Sequence, residues 1–242
     1  MPCRDRFGRL GLRCTRKCGG SQRHRDYGAR SDRLHTRPEK PRFTGMDEMP
    51  KSAGQPDADS FLTGQLLIAM PAMEDERFAH SVIYLCAHTP EGAMGLVLNR
   101  PLQRPKFDEL LRQLEVAPVP PARRIRLCAG GPLDNARGFV LHTADWTGEG
   151  SLRVNEALAL TASLDVLKAI AEGGGPREGL LALGYAGWGP GQLDAEIQQN
   201  AWLSVPADET IVFDGDHDTK WRRALGKLKI DPLLLSGVAG HA

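Results

Sequence analysis

Residues 81–99 read SVIYLCAHT, then PEG, then AMGLVLN. The flanking runs, Ser81 to Thr89 and Ala93 to Asn99, are rich in β-branched and aliphatic residues. They are separated only by Pro90-Glu91-Gly92. Two such runs joined by a short Gly-containing link predict a β-hairpin. Both runs are apolar on nearly every residue rather than on alternate ones, so both faces of the hairpin are expected to be covered. A hairpin covered on both sides belongs to the interior of a larger sheet, and the segments around it decide what covers it.

Working outward, Gln65 to Met70 reads as a strand stopped by Pro71. On the other side Phe107, Leu110, Leu111 and Leu114 follow the i, i+3, i+4, i+7 spacing of an amphipathic helix, ended by Pro118, Pro120 and Pro121. Ile125 to Ala129 and Gly138 to Thr143 are further strands, joined through Gly130-Gly131-Pro132. Leu152 to Thr161 holds one or two short ones. Ser163 is placed to cap a helix with Leu164, Leu167 and Ile170 turned inward, terminated by Gly173-Gly174-Gly175-Pro176. Gly179 to Tyr185 is a strand, followed by a glycine turn and a helix over Gln192 to Asn200. Ile211 to Phe213 reads as a short strand or extended piece. A last helix, Thr219 to Lys229, is expected to bury Trp221, Leu225 and Leu228. Strands outnumber helices and do not alternate regularly with them. The predicted fold is therefore α/β in the α+β sense, a mixed sheet with helices packed on it, not a doubly wound sheet.

The chain has 242 residues, 41% hydrophobic and 25% charged, values of a globular protein. Its net charge of +1 conceals a division. Residues 1–45 carry thirteen Lys/Arg against four acids, a net of +9; the remaining eighteen bases and twenty-six acids give residues 46–242 a net of −8. The basic stretch lacks apolar periodicity and cannot offset its own ordering entropy. Residues 1–60 are therefore expected to be a disordered tail and linker, and residues 61–242 one domain. Three origins fit the tail: an upstream extension with translation truly starting near Met46 or Met49, a genuine disordered tail, or a basic arm for nucleic acid. The stretch has no apolar region for a secretory signal.

Cys14 and Cys18 have zinc-like spacing without a second ligand pair. Cys86 and Cys128 lie in apolar strands and read as reduced, buried thiols. The longest apolar run, Leu66 to Met70, is too short to span a bilayer. The expected location is cytoplasmic.

Four features of the sequence are candidates for chemistry. The turn Gly184-Tyr185-Ala186-Gly187-Trp188-Gly189-Pro190-Gly191 leads into the helix at Gln192. Its glycines permit left-handed or tight backbone, helix-start N–H groups could hold an anion, and Tyr185 and Trp188 could form a flat wall. Gly187 and Gly189 are expected to resist a Cβ. A strand-to-helix turn with core aromatics has the same composition, and the spacing fits neither dinucleotide nor phosphate-loop motifs. Cys86 and His88, two apart on a strand, should share a face. With His142 they could form a thiol–imidazole or metal site, although no ligand spacing supports a metal. Asp214, Asp216 and Asp218 fail as a calcium loop, because Thr219 and Leu225 stand where Gly and Glu are needed, and read as helix-capping acids. Lys220, Arg223 and Lys227 form a basic stripe, read as a solvated face.

Several longer segments together resemble the AlgH/YqgE family of bacterial proteins. They are GQLLIAMP (Gly64 to Pro71), FAHSVIYLCAH, GAMGLVLNRP (Gly92 to Pro101), GGP (Gly130 to Pro132), RGFVLH (Arg137 to His142) and above all LGYAGWGPGQLDAEI (Leu183 to Ile197), with Trp202-Leu203 after it. The resemblance covers about residue 61 onward. It implies a mixed α/β fold with the sheet curled into a partial barrel and covered by helices. It also brings the label of transcriptional regulator, which is a genetic association; no catalytic residue, cofactor or ligand comes with it.

The favoured function is a non-enzymatic regulatory or interaction protein. One alternative is a small-molecule-binding protein or enzyme using the Gly184–Gly191 turn. Its site would combine Tyr185, Gly187, Trp188, Gly189, Gly191 and Gln192 with polar groups from Asn99, Arg100, Gly130 and Gly131. A second alternative is direct nucleic-acid binding, disfavoured by the domain's negative charge. No cofactor, metal or membrane is expected. The partner is a protein or small molecule that the sequence does not identify.

Overall fold

A computed structural model of the chain describes residues 61–117 and 125–230. The basic tail, Cys3, Cys14, Cys18 and the helix-ending prolines at 118, 120 and 121 lie outside the described residues. Within them, nine strands and five helices occur in the order β1 (Gln65–Ala69), β2 (Val82–Thr89), β3 (Gly92–Val97), α1 (Phe107–Gln113), β4 (Arg126–Ala129), β5 (Leu133–Thr143), β6 (Ser151–Arg153), β7 (Leu158–Thr161), α2 (Asp165–Ala171), β8 (Gly179–Trp188), α3 (Gln192–Gln198), β9 (Trp202–Pro206), α4 (Glu209–Phe213) and α5 (His217–Lys227).

The predicted hairpin is present, with Thr89 paired to Gly92 across Pro90-Glu91. Around it all nine strands join one sheet in the order β6-β7-β5-β8-β3-β2-β1-β9, with β4 beside β8. The pairing is antiparallel except between β4 and β8, where Arg126–Ala129 run parallel to Leu180–Leu183. The sheet is thus mixed, as expected, and it curls into a half-barrel with the helices packed on it.

β8 is the strand on which the curl turns. Its first half lies between β4 and Gly138–His142 of β5. Its second half, Ala186 to Trp188, pairs with Gly95, Met94 and Ala93 of β3. Between the halves Gly184 takes φ +74, and a Cβ there would stand 2.8 Å from the carbonyl oxygens of Gly131 and Leu133. Only a glycine lets two backbones approach this closely at a left-handed position.

Both sheet faces are buried, and the period of two sorts the side chains. Leu66, Ile68, Phe139, Leu141, Leu180 and Ala182 face one cluster, closed by Phe213 and Trp221 from α4 and α5. Leu67 and Ala69 face a second with Trp188, Leu193 and Trp202. Val140, Leu181 and Leu183 face a third, covered by α1 and α2.

Several expectations need correction. Ile211 to Phe213 is not extended but belongs to α4, started by the Asp208 carboxylate accepting from the Ile211 N–H at 2.8 Å; the cap overrides the β-branched residues. β9 escaped the sequence reading, because a five-residue strand after a polar helix carries little periodicity. Ser163 is not the N-cap of α2, a position held by Leu164. Its hydroxyl accepts from the Asp165 N–H at 3.1 Å instead. Leu228 is the C-cap of α5 and 37% exposed, not buried. Lys220 of the supposed solvated stripe is fully buried. Its ammonium donates to the carbonyls of Ile211, Val212 and Asp214, closing the C-terminal end of α4. Burial, helped by Arg126, pushes its pKa down to about 8.

Candidate functional site

The glycine turn is shorter than its sequence implies. Strand β8 runs through Ala186, Gly187 and Trp188, because β3 supplies ladder partners for all three. What remains of the turn is Gly189-Pro190-Gly191, with Gly191 at φ +66 as the N-cap of α3. The helix has seven residues, and the Gly189 N–H donates to the Gln192 side chain at 3.0 Å. That amide is satisfied within the chain, and α3 is too short to hold an anion by its dipole.

Beside this turn lies a groove of about 550 Å³. Gly187, Trp188 and Gln192 line it, joined by Pro132 and Leu133 from the start of β5. The opposite wall comes from the 71–80 loop, with Met73, Asp75, Arg77 and Phe78. Leu133 is 43% exposed there, an apolar side chain presented to the groove.

The organising group is Glu196. Its Oε2 accepts from the indole N–H of Trp188 at 2.9 Å and from that of Trp202 at 2.8 Å. Its Oε1 accepts from the Gln192 amide at 2.8 Å. The two indoles meet edge to face with centroids 5.9 Å apart, and Phe78 packs edge-on to Trp202 at 5.7 Å. Both indoles are almost fully buried, so their N–H groups need an acceptor. One carboxylate serves both and ties them to the first turn of α3. The result is a rigid aromatic wall with amide and carboxylate groups along its rim.

The other predicted site residues divide. Tyr185 leans toward Phe139, with ring centroids 5.9 Å apart, and does not line the groove. Gly130 and Gly131 are pressed against the β8 kink, where an added Cβ would stand 2.2 Å from the Gly184 oxygen and 2.1 Å from the Tyr185 carbonyl carbon; they shape the sheet rather than a pocket. A Cβ on Gly189 would meet nothing closer than the Gln192 oxygen at 3.8 Å, so the expected resistance there is absent. On Gly187 it would meet the movable ends of Leu133 and Tyr185. Asn99 and Arg100 stand in a different hollow, beside His80 and α5. Glu196, Leu133 and Phe78 escaped the sequence reading. The i, i+4 spacing of Gln192 and Glu196 was the signal that could have found the first.

The thiol–imidazole reading fails for a definable reason. A β-bulge between Leu85 and Ala87 shifts the register of β2, and one extra residue sends the following side chains to the opposite face. Cys86 then points into the cluster with Tyr84. His88 faces Asp194 of α3, its Nε2 at 3.5 Å from the carboxylate. His142 is elsewhere, bonded to Thr161 and to the Thr143 carbonyl, both at 2.8 Å. Cys86 and Cys128 are free and buried, and burial pushes the Cys128 thiol up to about 11. Among the described residues no three His, Cys, Asp or Glu gather at metal-binding distance.

The DUF179 family model, described as AlgH-like, matches residues 66–233. The chain belongs to the AlgH-like family. It is 52% identical to a UPF0301 protein of Afipia carboxidovorans, with 82% of this chain and 98% of that one covered. It is 54% identical to one from Rhodospirillum rubrum, covering 76% and 96%. Among solved structures it resembles the AlgH protein of Pseudomonas aeruginosa, with a TM-score of 0.62 and 45% identity over 78% of this chain and all of that one. The fold is shared too by a Corynebacterium diphtheriae protein, with a TM-score of 0.59 at 24% identity over 74% and 94%. The AlgH-like match spans the groove from Ala72 to Trp202. No helix among the described residues is long and apolar enough to cross a membrane.

Proposed function

We propose that this AlgH-like protein acts by binding, as a cytoplasmic regulatory or interaction protein, and that its recognition surface is the groove beside Trp188. The observation that carries this reading is the pair of indoles locked by Glu196 against an exposed Leu133. An exposed apolar side chain over a rigid aromatic base, rimmed by polar groups such as Asp75, Arg77, Gln192 and Glu196, has the core-and-rim makeup of a recognition surface. The groove's volume, about 550 Å³, lies in the range of small-molecule sites. The occupant this favours has an apolar face for Leu133, Met73 and Phe78, which the buried indoles back, and an amide or hydroxyl for Gln192 and the rim. The small-molecule alternative uses this same groove.

Direct nucleic-acid contact has less support. Of the basic stripe, Lys220 is buried, Arg223 is paired with Asp214, and Lys227 is paired with Asp208 at 2.6 Å. The transcriptional label would then reflect an indirect effect.

Leu133→Thr tests the reading. The side chain is already 43% exposed and threonine suits a strand, so stability should change by about 0.5 kcal/mol or less. Partner capture and metabolite screening by thermal shift should lose their hits in the variant. Hits that survive unchanged would remove the groove as the recognition surface.

A further inference from the structure

A second hollow, of about 330 Å³, opens where the 71–80 loop, the segment after β3 and the first turns of α5 meet. Its wall carries His80, Arg100, His217 and Arg222, with a single acid, Asp218. Asn99 and Trp221 complete it. It is separate from the Trp188 groove, and nothing in the proposed function uses it.

Each group is held differently. Asn99 fixes the frame: its amide donates to the His80 carbonyl and its oxygen accepts from the Val82 N–H, both at 2.9 Å. His80 is thereby kept at φ +55, a conformation uncommon outside glycine. Its ring stacks edge-on to Trp221 with centroids 4.7 Å apart. Local strain over-determined by surrounding contacts often marks a binding position. Arg100 ties down the loop through one nitrogen, which donates to the Glu76 and Ala79 carbonyls at 3.3 Å. That leaves its other N–H groups for the hollow. His217 bonds through Nδ1 to the Leu98 carbonyl at 3.3 Å. Arg222 is exposed and stands one turn beyond Asp218. This spacing commonly forms an ion pair, yet Arg222 pairs with no carboxylate among the described residues. The start of α5 contributes nothing, because Asp216 already accepts from the Thr219 N–H.

We propose that this hollow binds the phosphate group of a small phosphate monoester. Arg222 and Arg100 would contact the phosphate oxygens, His80 would donate from the loop side, and Asn99 would act as a positioning residue. Guanidinium forks are geometrically matched to phosphate oxygens. Donors converging from a loop, a strand end and a helix suit a tetrahedral group with three free oxygens better than a planar carboxylate with two. The volume leaves room for a small organic part and no more. Asp218 opposes the anion, and this gives the proposal a sign that a structural role would not have.

Inorganic phosphate is the probe, titrated into the full chain at constant ionic strength and followed by the NMR signals of the Trp221 indole N–H and the His80 ring. The expected result is a saturable shift at those signals, with acetate weaker than phosphate. Arg222→Gln should weaken binding about tenfold, the effect of losing one charge-assisted contact, with an unchanged melting temperature. His80→Asn should weaken it as well, since asparagine tolerates the positive φ but lacks the imidazole. Asp218→Asn should tighten it. A linear, unsaturated response, an Arg222→Gln variant that binds like wild type, or an Asp218→Asn variant that binds more weakly would overturn the proposal.

Discussion

At the scale of the residue, Glu196 shows how one side chain decides what a surface can do. Without its carboxylate, two indole N–H groups with almost no access to water lose their acceptor. Each unsatisfied buried donor costs about 1–3 kcal/mol. Glu196→Ala is therefore expected to destabilise the protein by about 2–4 kcal/mol in urea unfolding and to alter tryptophan emission. Glu196→Gln keeps an acceptor and should cost about half as much. A loss under about 0.5 kcal/mol for the alanine variant would mean that the indoles find water, and that the wall of the groove is not rigid. Gln192, a binding-site candidate in the sequence, caps the turn by accepting from Gly189 and bonds Glu196. The identity of these residues was visible in the chain. Their convergence was not, because Trp202 comes from a strand the sequence barely signals.

At the scale of the element, glycines of one segment have opposite meanings. Gly184 sits at φ +74 with two carbonyl oxygens 2.8 Å from where a Cβ would be. Gly184→Ala should cost about 3 kcal/mol or more, since it adds conformational strain to a steric clash between backbones. Gly189 has open space, and Gly189→Ala should change stability by about 0.5 kcal/mol or less. Thermal or urea unfolding of the two variants checks the contrast; equal losses would mean that the kink in β8 is not where the sheet needs its glycine. The same scale explains the failed Cys86–His88 pairing. Period-two reasoning holds only in a regular strand, and the bulge after Leu85 breaks it.

At the scale of the whole molecule, a buried histidine and a half-buried one contribute to the response to acid. His142 lies inside the sheet, and burial lowers its pKa despite the Thr143 carbonyl and Asp145. His217 is lowered by burial and by Lys220. A histidine whose folded pKa is depressed binds its proton better in the unfolded chain. Its stability contribution is complete above the unfolded pKa of about 6.5 and declines as pH falls below that value toward the folded pKa. The carboxylates of Asp75, held low by Arg77, and Asp165, held low by Ser163 and Lys168, act only in more acid solution, below about pH 4. The melting temperature in phosphate-free buffer should therefore already fall between about pH 7 and 5. His142→Gln, though less stable, should flatten that slope. A melting temperature constant over this range would show that these histidines protonate freely in the folded protein.

What the sequence determined by itself was local and periodic. Residues 81–99 specified a hairpin and its burial on both faces, 107–114 specified α1, and the motifs from Gly64 to Trp202 specified the family. These follow from interactions between near neighbours and from patterns that repeat along the chain. The tertiary structure alone decided the rest. It extended β8 through the glycines, because β3 lay alongside to pair with Ala186–Trp188. It buried Lys220, because the end of α4 offered three carbonyls. It separated Asn99 and Arg100 from Trp188, and it brought the Trp188 and Trp202 indoles onto the one carboxylate of Glu196. The reason is the same in each case: a buried polar group or an unpaired strand edge must find a partner, and that partner lies wherever the fold brings it, at a separation that local sequence does not encode.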